Sequence, residues 1–147
     1  MSEAFKHILL AVDLTEESTQ VSEKAAVLTT AFGATLSCTH VIEPLSLAYG
    51  GDVPMDLTTV QDQLHDTAKI QLARLAASLD VPPDRCHLVF GRPETEIHLL
   101  AEQIEADLIV VGSHGRHGLA LLLGSTSTGV LHGSPCDVLA VRVGDAS

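Results

Sequence analysis

The chain has 147 residues, of which 46% are hydrophobic and 18% charged, so we expect a single domain with one core over residues 1–147. Sequence-independent binding to nucleic acid needs clustered Lys and Arg residues and aromatic rings for stacking. The chain has a net charge of −11, only eight Lys and Arg residues and no Trp, which argues against such binding. Because the longest apolar runs have four or five residues and no secretory signal is recognisable, we expect a cytoplasmic protein without membrane insertion.

The first third of the chain predicts a strand, a helix and a second strand. Residues 6–12 form a short apolar run that ends at Asp13, and residues 17–32 follow with helical periodicity. Gly33 stands where a helix would end, and residues 34–42 are rich in β-branched side chains. Residues 43–57, with two prolines and two glycines, predict a long loop.

The rest of the chain continues the alternation. Apolar spacing predicts helices over residues 59–79 and 94–105 and a short helix over 125–132. Strands are predicted over residues 86–90, 107–111 and 137–143, with Gly112 ending the second of these. The predicted order is therefore β-α-β-α-β-α-β-α-β.

Strands separated by helices must be joined by crossovers, which favours a parallel sheet. We therefore predict an α/β fold, a single doubly wound five-stranded parallel sheet of the Rossmann-like, adenine nucleotide alpha hydrolase-like type, with helices on both faces. Such sheets bind ligands at the carboxyl ends of their strands, where the strand order reverses. This rule points to Asp13, Val41 and Gly112.

A glycine-containing segment between residues 111 and 128 leaves two interpretations open. Gly112 and Gly115 would let backbone amides face a phosphate, and Gly124, Ser125 and Thr126 would place N–H groups and hydroxyls at a helix start. Arg116 would add a charged hydrogen bond. Alternatively, the glycines serve tight turns and the hydroxyls cap a helix.

Motifs for other chemistry are missing from the sequence. It contains no G-x-G-x-x-G after the first strand, no P-loop and no G-x-S-x-G elbow, so we assign no catalytic residue. His114, His117 and His132 complete no four-ligand set, and we expect no metal centre built by the protein alone. The three cysteines lack a C-x-x-C pair and predict buried free thiols.

Over nearly its whole length, the sequence resembles the universal stress protein family. The matching pieces are residues 6–13, His40-Val41, residues 91–93, 107–115, Leu123-Gly124-Ser125 and 134–141. The resemblance implies a five-stranded parallel fold, a homodimer paired through the last strands, and a role in surviving stress. Whether the protein is an enzyme stays an open question. The most that we expect is slow ATP hydrolysis or autophosphorylation on residues 125–128.

Nucleotide-binding members of that family carry glycine, two residues, glycine, nine residues, glycine, then Ser or Thr. Here only eight residues, 116–123, separate Gly115 from Gly124, a shortening of up to about 3.5 Å of chain. The resemblance implies a site for ATP, ADP or AMP, with a Mg²⁺ ion at Asp13, or else a dimeric interaction protein of the same fold that binds no nucleotide. The positions implied for the nucleotide are Ala11, Asp13, Val41, Gly112, Ser113, Gly115, Arg116, Gly124, Ser125 and Thr126.

Overall fold

The structure, a computed structural model, describes residues 5–43, 55–114 and 129–143. Its helices are α1 (Ser18–Phe32), α2 (Met55–Ser78) and α3 (Pro93–Gln103), with a 3-10 turn at Pro83–Arg85 and helical backbone at residues 129–131. Its strands are β1 (His7–Ala11), β2 (Thr35–Ile42), β3 (Cys86–Phe90), β4 (Leu108–His114) and β5 (Asp137–Val143).

The five strands form one parallel sheet in the order β3-β2-β1-β4-β5. The chain runs outward from β1 to β3, then crosses back to β4 on the other side of β1, which is the doubly wound arrangement. The Asp107 carboxylate accepts the backbone N–H groups of Lys6 (2.8 Å) and His7 (3.0 Å) and so fixes the start of β1 beside β4. The predicted fold class is confirmed.

Both faces of the sheet are covered, which explains why residues 8–11 of β1 and 108–111 of β4 are apolar throughout. On one face, Ile8, Leu10 and Val110 pack against residues of α1 and α2. On the other, Leu9 and Ile109 pack against α3 and against Val130 of the following helix. Alternate residues of one strand therefore supply two separate cores.

Local sequence signals account for several element ends. Gly33 has a left-handed φ of 63° at the end of α1, where the N–H of Ala34 donates to the Thr29 carbonyl at 2.9 Å. Pro93 opens α3, and Glu94 and Glu96 stand in its first turn, where the helix dipole favours acids.

Several predicted boundaries differ from the structure. Helix α2 starts at Met55, so residues 55–57 are helix instead of loop, because no Pro or Gly follows Pro54 to interrupt it; residues 44–54 lie outside the described residues. Strand β4 continues past Gly112 because it goes on pairing with β5. Helix α3 ends at Gln103, and Glu105 has a positive φ of 57°. Of the predicted helix 125–132, only residues from 129 onward are described, and 129–131 are helical.

None of the helices in the described parts of the chain combines the length and the apolar character that crossing a membrane requires.

Candidate functional site

A crevice opens between β1 and β4 at their carboxyl ends. The two strands pair only as far as Leu10 and Val110. Beyond this point β1 continues to pair with β2, through Ala11 and Thr39, whereas β4 continues with β5 as far as His114. The strands thus follow different neighbours at the point where the strand order reverses, which is where sheets of this type bind ligands.

Asp13 stands at the mouth of this crevice, immediately after β1. Its Oδ1 atom accepts the backbone N–H of Thr15 (3.0 Å), the Thr15 hydroxyl (2.8 Å) and the Ser18 hydroxyl (3.1 Å). Three donors to one oxygen hold an exposed carboxylate in a fixed orientation. The same bonds organise the turn into α1, so Asp13 caps this turn while its carboxylate is held in one orientation.

The residue after Asp13 has an unusual backbone conformation. Leu14 has a φ of 61°, in the left-handed region that non-glycine residues rarely adopt, and its side chain packs against the core under α1 and α2. Such conformations persist only where surrounding contacts enforce them, and they concentrate at functional sites. Leu14 has no sequence signal beyond its position after Asp13, and it was not among the predicted site residues.

The end of β1 is also fixed from the side of β2. The N–H of Val12 donates to the Thr39 carbonyl at 3.0 Å, and the Nδ1–H of His40 donates to the Val12 carbonyl at 2.7 Å. His40 therefore acts as a positioning residue for the backbone that leads to Asp13. Thr15 and Ser18, which hold the Asp13 carboxylate, could have been found from the D-x-T-x-x-S spacing, a pattern typical of local side-chain turns.

Gly112 lies within β4, so the interpretation of this glycine as a turn or strand terminator is wrong. It pairs with Val141, and a Cβ atom placed on it would lie 3.0 Å from Cγ2 of Val21 in α1. The absence of a side chain therefore lets α1 approach the sheet closely. Ser113, which follows, is buried and pairs with Arg142.

The structure brings half of the predicted site residues to one edge of the sheet. Ala11 and Val41 both belong to the apolar cluster on the α3 face, Ala11 buried and Val41 half-buried, while Asp13, Gly112 and Ser113 lie at the ends of β1 and β4. The remaining predicted positions lie outside the described residues: Gly115, Arg116, Gly124, Ser125 and Thr126.

The thiols of Cys38 and Cys136 are poorly suited to nucleophilic chemistry. Burial, reinforced by the neighbouring Cys86 thiol, raises the pKa of Cys38 to about 12, and burial also raises the pKa of Cys136. Only thiolates are effective nucleophiles. Within residues 5–43, 55–114 and 129–143, no group of three or more His, Cys, Asp and Glu side chains is placed to hold a metal ion.

Comparison with known proteins identifies the family. Residues 4–142 match the model of the universal stress protein family. The chain is 41% identical over 138 residues to universal stress protein A homolog 1 of Coxiella burnetii, covering 93% of this chain and 96% of that protein.

Solved structures share the fold. The hypothetical protein MJ0577 superposes with a TM-score of 0.75 at 24% identity, covering 97% of this chain and 99% of that protein. A universal stress protein in complex with cAMP superposes with a TM-score of 0.64 at 18% identity, covering 94% and 97%.

Proposed function

The chain belongs to the universal stress protein family, a family of stress-response proteins, and from that premise we propose that it binds an adenine nucleotide, ATP, ADP or AMP, in the crevice between β1 and β4. The observation that carries the proposal is the separation of β1 from β4 beyond Leu10 and Val110, with the Asp13 carboxylate held at its mouth. A similar fold that holds cAMP supports the choice of an adenine ligand.

The residues along the crevice suggest where the adenine, ribose and phosphate parts of a nucleotide would bind. The apolar surface at Ala11 and Val41 suits the adenine ring, with backbone groups of β2 supplying polar contacts. The exposed Asp13 carboxylate can accept hydrogen bonds from ribose hydroxyls. Gly115, Arg116, Gly124, Ser125 and Thr126 belong to the phosphate side of the proposal on their sequence pattern alone.

A single fixed carboxylate is also the protein ligand that a phosphate-bound Mg²⁺ ion prefers. Asp13 fits this role because three hydrogen bonds already orient its Oδ1 atom. When bound, the ion would neutralise charge on the phosphates, which matters in a chain with a net charge of −11.

Isothermal titration with ATP and Mg²⁺ tests the proposal. We expect micromolar binding to the wild-type protein, loss of binding in the Gly115→Val, Gly124→Val double variant, and weaker binding in Asp13→Asn. Thr19→Ala, an exposed change on α1, is the matched control. Absence of heat and of a thermal shift at millimolar ATP would overturn the nucleotide proposal.

The second candidate function is a dimeric interaction protein that binds no nucleotide. The observation that favours it is the loop of eight residues, 116–123, one fewer than the nucleotide-binding pattern. Inserting one glycine in this loop separates the candidates. ATP binding that is created by the insertion would support the second candidate for the natural chain, and equal binding with and without the insertion would support the first.

A homodimer through β5 completes the proposal. Strand β5 is at the edge of the sheet, and its Val138, Leu139 and Ala140 are half-buried. An apolar edge is a pairing hazard unless it is covered, and a second copy of the strand would cover it. Light scattering should give a dimer for wild-type protein and for Val27→Lys, an exposed helix position, but a monomer for Val138→Lys. A wild-type monomer would refute it.

A further inference from the structure

A second concave site lies far along the sheet from the crevice, between α2 and the edge strand β3. It is a cavity of about 500 Å³, lined largely by apolar side chains. Volumes of this order are typical of small-molecule sites. Since β3 is the last strand on this side of the sheet, the cavity opens to solvent at the sheet edge.

The cavity exists because α2 presents small residues to β3. Ala76 is buried against the sheet, and the exposed Ala73 and Ala77 line the cavity mouth, where longer side chains would fill the space; Cys86 and Leu88 of β3 form the opposite wall. Both strand residues are half-buried and pack against the core below. Alanine is a strong helix former, so α2 is stable although its small side chains leave this space unfilled.

Lys69 places an ammonium group at one end of the cavity. His65 and Lys69 are one helical turn apart and both line it, and the ring of His65 stacks on Phe90 with centroids 5.4 Å apart. The carboxylate of Asp66, which is 79% exposed, lies 3.5 Å from the His65 ring nitrogen Nδ1. The opposite end, at Val81 and Pro83, is apolar.

A pocket with an apolar body and an ammonium at one end matches an amphipathic anion. We propose that the α2–β3 cavity binds a single-chain carboxylate of medium length, with its hydrocarbon chain along Ala73 and Ala77 and its carboxylate at Lys69. The span from Lys69 to Ala77 corresponds to about 12 Å of helix, which is about the length of an extended ten-carbon chain. This site goes beyond the proposed nucleotide site and shares no residue with it.

Decanoate is the probe, and isothermal titration of the full chain is the measurement. We expect micromolar binding to the wild-type protein and weaker binding by about tenfold, or ~1.4 kcal/mol, in Ala73→Leu, whose added carbons occupy the cavity. Ala73 is exposed at the cavity mouth, so this variant should fold. Gln71→Leu adds the same side chain on the other side of α2 and should bind as the wild type does.

The contribution of the Lys69 charge to decanoate binding is tested separately. Lys69→Gln should weaken decanoate but leave the binding of neutral decanol unchanged, whereas Lys24→Gln on α1 should affect neither. A carboxylate carried by a membrane lipid is distinguished by adding phosphatidylserine vesicles, which should neither sediment the protein nor displace decanoate. Absence of decanoate binding, equal binding by Ala73→Leu, equal losses in both leucine variants, or vesicle binding would overturn the proposal.

Discussion

The close approach of α1 to β4 at Gly112 can be tested by adding a single methyl group. In Gly112→Ala, the new Cβ would lie 3.0 Å from Cγ2 of Val21, closer than carbon atoms normally pack. Val21 is itself 4% exposed, so it cannot move out into solvent. Overpacking of this kind costs about 1–3 kcal/mol.

Replacing glycine also has a favourable effect, since alanine loses less backbone entropy on folding by roughly 0.5–1 kcal/mol. The net expectation is a decrease of about 1 kcal/mol in the free energy of unfolding, or about 3 °C in Tm for a chain of this size. In the double variant Gly112→Ala, Val21→Ala, the clash is removed. The pair should therefore be less destabilised than the sum of the single variants by about 1 kcal/mol.

Urea denaturation of the wild type, the two single variants and the double variant measures this coupling. Titration of the same proteins with ATP shows whether Gly112 also affects ligand binding. A Gly112→Ala variant with wild-type stability and no coupling to Val21 would refute the packing explanation. If that variant kept its stability but lost nucleotide binding, Gly112 would instead be needed for close approach of the ligand to the backbone.

Three further predictions concern stability and reactivity. Gly33→Ala should lower the free energy of unfolding by about 1 kcal/mol in urea denaturation, because φ is 63° although nothing lies within 4 Å of a new Cβ; unchanged stability would contradict this. Burial, and then the charge of His7, lower the pKa of His87 below 6.5, while Asp84 acts weakly in the opposite direction. Protonation then favours the unfolded state, so stability should fall as pH decreases below 6.5, and His87→Gln should reduce that slope in urea titrations; an equal slope would refute the assignment. Cys38, buried and with a pKa of about 12, should react with a thiol reagent at pH 8 only after unfolding, whereas labelling in the native protein would show that β2 opens.

Much of the fold follows from local patterns. Short-range features predicted the apolar strands β1, β3 and β5 and the helical spacing of α1. Gly33 marks the end of α1 and Pro93 the start of α3, and each of these boundaries depends on the backbone geometry of one residue. The alternation of helices and strands then requires parallel pairing, and with it a candidate site at the carboxyl ends. Asp13 could be placed at that site for the same reason.

The errors occurred where the decisive contact is distant in sequence. Gly112 was expected to end a strand because glycine commonly does so, but its pairing with Val141 and its closeness to Val21 depend on how β5 and α1 pack.

The sequence by itself therefore determined the order and type of the elements, the parallel sheet and the edge where a ligand would bind. These properties depend on periodicity and on the backbone preferences of single residues. The tertiary structure alone decided where β1 and β4 separate, how closely α1 approaches Gly112, and that small residues of α2 leave a cavity against β3. Such features arise from side chains that meet across long stretches of chain, and their spacing is set by packing, which no local pattern encodes.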